Sequence, residues 1–150
     1  MWEVLFYFTS LLTLAAGLND IGFIKWVAEA FARPLSQTSS LTAVVVLVAL
    51  FFWIHYFFSS ITSHAVAVLP VVLAVGKGIG GLPLPTLTLL CVYGLGLMGV
   101  ISPYATGAAP MYFGSGFITR RDFWKFGSIF GAVYFVGLLV VVLPWLSVTR

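Results

Sequence analysis

The chain has 150 residues, of which 61% are hydrophobic and only 7% charged, with a mean hydropathy of +1.13. A soluble domain carries about a quarter charged residues, so this composition excludes a water-soluble globule and predicts an integral membrane protein. The net charge of +3 is spread thinly and argues against nucleic-acid binding, and the single Cys91, set in an apolar run, excludes an intrachain disulfide.

Trp2 to Leu18 is apolar and predicts a first helix over residues 2–18. Met1 is followed by Trp and Glu rather than by a basic region, so no cleavable signal peptide is expected. The stretch NDIGFIKWVAEAFARPL differs. Asp20 is suited to cap a helix start, and Lys25, Glu29 and Arg33 recur at every fourth position with Phe23, Ile24, Val27 and Phe31 away from that stripe. This pattern predicts an amphipathic helix over 21–34 lying in the membrane interface and closed by Pro34. The bland alternative is a frayed connector.

Two long runs follow, Leu41–Gly76 and Gly78–Ile118, neither containing Lys, Arg, Asp or Glu. Each has at least 36 residues. At about 1.5 Å per residue, one straight helix of that length overshoots a hydrocarbon core of about 30 Å, so each run must fold back or break. The first is interrupted by a polar cluster, Ser59, Ser60, Thr62, Ser63 and His64, and the second by ISPYATGAAP, residues 101–110, whose prolines and glycine stop regular helix. The segment GKGIGGLPLP between the runs reads as an interfacial turn. In TRRDFWKFG, Thr119 and Asp122 form a capping-box pattern that starts a new helix, and the final membrane helix is expected over 127–147. The predicted architecture is thus all-α: helices at 2–18, 21–34 and 127–147, a hairpin over 41–76 and a broken helix over 85–118.

Arg120, Arg121 and Lys125 make the start of the last helix cytoplasmic by the positive-inside rule, which puts the C-terminus on the outer side. The Gly76–Pro85 turn then also lies outside. If 41–76 were two full spans, its middle would reach the cytoplasm. If it were a re-entrant hairpin, its middle would stop inside the membrane. The cluster lacks the Gly, Asn, Asp, Lys or Arg of an aqueous turn, and small hydroxyls suit a tip buried in protein at membrane depth. This favours the re-entrant form.

Two helix breaks in adjacent runs would aim helix ends at a common site, the plan of secondary transporters. Ser60, Thr62, Ser102 and Thr106 would add hydroxyls. The alternative for each hydroxyl alone is a bond to its own helix backbone. His64, just past the tip, is an intramembrane ionisable group and so a candidate to bind a carboxylate or carry a proton. The alternative is a neutral ring satisfied by a neighbouring helix. His55, with no carboxylate or thiol partner, makes a poor metal site with His64. Trp53, Tyr56, Tyr104 and Tyr112 read as packing or interface anchors. No Ser-His-Asp, Cys-His or paired-carboxylate constellation appears, which argues against an enzyme.

The segments SSITSHAVAVLPVVLAVGKGI, SPYATGAAPMYFGSGFI and AGLNDIGFIKW resemble the C-terminal repeat of the divalent anion:sodium symporter family, above all its citrate, tartrate and 2-oxoglutarate/malate translocator branch. The resemblance covers nearly the whole chain. It implies one half of an inverted-repeat transporter for di- or tricarboxylates (malate, 2-oxoglutarate, citrate, succinate or tartrate) in the cell's inner membrane. The missing N-terminal repeat and a homodimer are the implied partners, besides the lipid bilayer. The family's Ser-Asn-Thr hairpin tip corresponds to Ser60-Ile61-Thr62, and its Thr-Pro-Pro-like unwinding to Ala105-Thr106-Gly107. The resemblance therefore implies substrate binding by Ser60, Thr62, His64, Ala105, Thr106 and Gly107, and a sodium site at Ser59, Ser60 and Ala105. Ile61 lacks the amide that the family's Asn supplies to sodium and substrate, and Ala109 stands near the place of a polar residue. These departures favour exchange of carboxylates over sodium coupling, with no other cofactor expected. A membrane interaction or assembly protein without transport activity is the alternative.

Overall fold

The computed structural model describes residues 20–148 together with Phe6, Thr9, Ser10, Thr13, Leu14, Ala16 and Gly17. The helix expected over 2–18 falls largely on residues outside this description. Among the described residues every regular element is helical. Of the described residues, three segments are long and apolar enough to cross a membrane: Ser40–Phe57, Ile61–Gly78 and Arg120–Val148. The chain is an integral membrane protein of all-α class.

Helix α1 (Phe23–Leu35) carries Pro34 inside its last turn. Its N-cap is Gly22 in the left-handed conformation at φ 77°, not Asp20. A glycine adopts this φ without the Cβ clash that other residues meet, and its carbonyl accepts the Trp26 N–H at 2.9 Å. Ala28 and Ala32 are the buried positions of α1, and they let it pack closely on α3 (Ile61–Gly78). Ala32 Cβ lies 3.2 Å from where a Cβ on Gly78 would stand.

Helix α2 (Ser40–Trp53) starts at Ser39, whose Oγ accepts the Thr42 N–H at 3.1 Å. It buries Val44, Leu47, Val48, Phe51 and Phe52 and tightens into a 3-10 turn at Ile54–Phe57. α3 returns beside it. Helix α4 (Leu84–Leu97) packs its Leu87, Leu90 and Cys91 into the same core and ends in a 3-10 turn, Met98–Val100. Gly76 admits Leu87, whose Cδ2 would lie 2.6 Å from an added Cβ.

After the short helix α5 (Ala109–Gly114), α6 (Arg120–Gly137) begins at Thr119. The Thr119 Oγ1 accepts the Asp122 N–H at 3.2 Å and donates to Asp122 Oδ2 at 2.7 Å. The helix thus starts at the capping box, as its pattern predicts, and the charged segment Arg120–Lys125 is continuous with the apolar span expected from 127. It continues through a π-helical stretch, Leu138–Val142, into α7 (Leu143–Val148). Phe126, Phe130, Val133, Val140 and Val141 are exposed along it, a surface suited to hydrocarbon.

Candidate functional site at the two helix breaks

The first break lies between α2 and α3. Phe58 and Ser60 are extended, and Ser60 caps α3, its Oγ accepting the Ser63 N–H at 3.4 Å. Residues with short polar side chains favour this position because they satisfy N–H groups that a new helix leaves free. The second break follows α4. Residues 101–108 run through turns, in which Ala105 N–H donates to the Ser102 carbonyl at 3.2 Å. Thr106 Oγ1 then accepts the Ala109 N–H at 3.1 Å at the start of α5.

Two hydrogen bonds hold the breaks together. His55 Nε2 donates to the Ala105 carbonyl at 3.0 Å, and the Tyr104 hydroxyl donates to the Tyr56 carbonyl at 2.9 Å. The carbonyl accepts only, so this bond places the His55 proton on Nε2. Aromatic stacking adds to the junction: Tyr56 stacks on Trp53 at 6.0 Å and on Trp124 at 5.9 Å, and Trp124 meets Tyr104 edge-on at 6.0 Å. These contacts tie the hairpin tip, the unwound segment and the start of α6 into one unit.

In front of the junction is a cavity of about 400 Å³ whose lining includes Ile61, Gly99, Thr106, Tyr112 and Phe123. Gly99 leaves room for Thr106 and Ile61 to approach each other on this lining. A Cβ there would lie 2.7 Å from Thr106 Cγ2 and 3.3 Å from Ile61 Cδ1. Behind the tip, His64 is fully buried. Its ring sits edge-on to Phe51 at 4.5 Å and to Phe58 and His55 at 5.0 Å each. Both His64 nitrogens, His55 Nδ1 and Ser102 Oγ are buried without a hydrogen-bond partner among the described residues.

Of the residues singled out from the sequence, Thr106 lines the cavity together with Ile61. Ser60 caps α3 at the tip, and Ala105 is buried with its carbonyl engaged by His55. Ser59, Thr62 and Gly107 are exposed, and His64 lies behind the tip. His55 and Tyr104 emerge as the residues that join the two breaks. This role is not legible in the sequence, because the partners are fifty and forty-eight residues apart. The one available signal was a histidine in a run with no charged residue to pair it.

Residues 1–149 match the sodium:sulfate symporter transmembrane region. A citrate/succinate antiporter of Escherichia coli (strain K12) is 41% identical over 146 residues, 97% of this chain and 30% of that protein. An L-tartrate/succinate antiporter of Shigella flexneri is 39% identical over 147 residues, 98% of this chain and 30% of that protein. The chain thus spans about 30% of the length of the curated relatives it matches. On the match along almost its whole length, the chain belongs to the sodium:sulfate symporter transmembrane family, the divalent anion:sodium symporters.

Proposed function

We propose that this chain is the C-terminal half-site of an inner-membrane transporter that exchanges di- or tricarboxylates. The observation that carries the reading is the junction of the hairpin tip with the unwound segment beside a cavity lined by Ile61 and Thr106. Thr106 Oγ1 already accepts the Ala109 N–H. Its own proton is therefore free to donate to a carboxylate, and the N–H groups opening α3 favour an anion nearby. Ser60, Thr62, His64, Ala105 and Gly107 complete the proposed binding region. A sodium site around Ser59, Ser60 and Ala105 would lack an amide oxygen, since Ile61 stands at the tip, so exchange is proposed rather than sodium coupling. The names of the citrate/succinate and tartrate/succinate antiporters support the substrate class and transport rather than catalysis. The facing half of the site would come from an N-terminal repeat, and the complete protein would work as a homodimer with its C-terminus outside.

The hairpin is proposed to be re-entrant. Each arm has 18 residues and rises about 27 Å, so length alone permits a crossing, and the reading rests on the tip, where Ser59, Ser60 and Thr62 stand without the Gly, Asn, Asp, Lys or Arg of an aqueous turn.

The test is substrate affinity of Thr106→Val in the intact transporter containing this chain, with Ser39→Ala as control. Losing one charge-assisted hydrogen bond costs about 1.5–3 kcal/mol, so affinity should fall roughly ten- to a hundredfold while insertion is unchanged. Affinity equal to the parent would remove Thr106 from the site.

A further inference from the structure

The side of α1 turned toward the C-terminal end of α3 carries a feature that the transport reading does not use. Lys25, Glu29, Arg33 and, from the end of α3, Lys77 line a single cavity of about 600 Å³ floored by Ala28 and Ala32. Three cations thus face one carboxylate. Glu29 is 4.0 Å from Lys25, and both are largely exposed, which leaves Arg33 and Lys77 as the cavity's cations with no carboxylate at ion-pair distance among the described residues. Val27 and Phe31 of α1 line a second, wholly apolar groove of about 180 Å³ with Leu50 of α2 and Val68 and Val71 of α3. Helix α1 therefore separates a cationic cavity from an apolar groove by its own width, about 10 Å. Phe23 and Trp26 are exposed beside them and make a ring pair at 6.1 Å. Lys77 is the last residue but one of a segment apolar enough to span a bilayer, Ile61–Gly78, so the cationic cavity lies at the level of lipid headgroups and the groove below it.

We propose that α1 and the end of α3 form a binding site for one anionic phospholipid, with its phosphate among Lys25, Arg33 and Lys77 and an acyl chain in the groove at Val27, Phe31 and Val71. The charge balance selects an anionic headgroup over a zwitterionic one, and the adjoining apolar groove selects a lipid over a soluble phosphate. An amphipathic helix buries its apolar face about 5–10 Å into the headgroup boundary, the depth this arrangement requires. The site goes beyond carboxylate exchange, and its test reads lipid binding, so either reading can fail without the other.

The experiment is native mass spectrometry of the intact protein in mild detergent, titrated with phosphatidylglycerol or with phosphatidylcholine of the same chains. Phosphatidylglycerol should be retained preferentially. Each Lys or Arg near an anionic headgroup contributes about fivefold, so the triple variant Lys25→Gln/Arg33→Gln/Lys77→Gln should lose on the order of a hundredfold in retention. Lys25→Gln alone, at a position exposed enough to leave the fold intact, should lose about fivefold. Val71→Trp should block chain insertion, and Arg120→Gln/Arg121→Gln/Lys125→Gln at the other end should bind as the parent does. Equal retention of the two lipids, a triple variant that holds phosphatidylglycerol like the parent, or displacement by free glycerol phosphate at equal concentration would each overturn the proposal.

Discussion

His55 holds the unwound segment to the hairpin with one bond, to the carbonyl of Ala105, and both groups are fully buried. His55→Leu would leave that carbonyl without its side-chain donor, at a cost of about 1–3 kcal/mol. His55→Gln keeps an N–H donor at a similar reach and should recover most of the loss. The expected result is a lower melting temperature and weaker substrate binding for the Leu variant, with both restored in the Gln variant. Identical melting and binding in the two variants would show that the bond positions nothing. The hydroxyl cluster at 59–63 was legible in the sequence because polar side chains stand out in a run without charge. The pairing of His55 with Ala105 was not, because a contact across fifty residues depends on how α2 and α4 pack. Nor did the cluster reveal that Thr62 points to the exposed side while Ile61 lines the cavity. Neighbouring residues on a helix face different directions, and the tip alone does not set which one faces the second break.

Helix α6 approaches the end of α4 over two glycines one turn apart. A Cβ on Gly127 would stand 2.9 Å from the carbonyl oxygens of both Val100 and Ile101, and one on Gly131 would stand 2.7 Å from Ile101 Cγ2. Backbone carbonyls cannot rotate away as a side chain can. Gly127→Ala should therefore destabilise by about 1–3 kcal/mol through overpacking, and thermal melting in detergent checks it. A variant as stable as the parent would mean that α6 sits farther from α4. The re-entrant placement is tested at the tip between α2 and α3. Cysteines at Ser59 and Ser60 should react slowly with an impermeant reagent on the cytoplasmic side, whereas a cysteine at Arg121 reacts fast. Equal fast labelling would establish two full spans. The helix start at Thr119 was readable from its capping-box pattern ahead of the last apolar run. The start of α1 was not, since Asp20 had the right chemistry but Gly22 had the left-handed backbone that the turn uses.

At the scale of the whole molecule, the all-α membrane class followed from two long runs without charge, because a hydrocarbon environment leaves helices as the way to satisfy the backbone within one segment. Which breaks meet was readable only as a resemblance, since no local pattern encodes the contact between the Ile54–Phe57 turn and residues 101–108. The chain matches about 30% of each antiporter relative, so exchange is a property to test in an intact transporter. With Ile61 at the tip in place of an amide, substrate rather than sodium should drive the cycle. The direct measurement is uptake of labelled succinate by proteoliposomes of the intact transporter containing this chain, loaded or not with citrate, tartrate or succinate, in sodium-free and sodium-containing buffer. The account predicts uptake that requires an internal carboxylate and proceeds without sodium. Uptake into empty vesicles that depends strictly on a sodium gradient, with no stimulation by internal carboxylate, would contradict it.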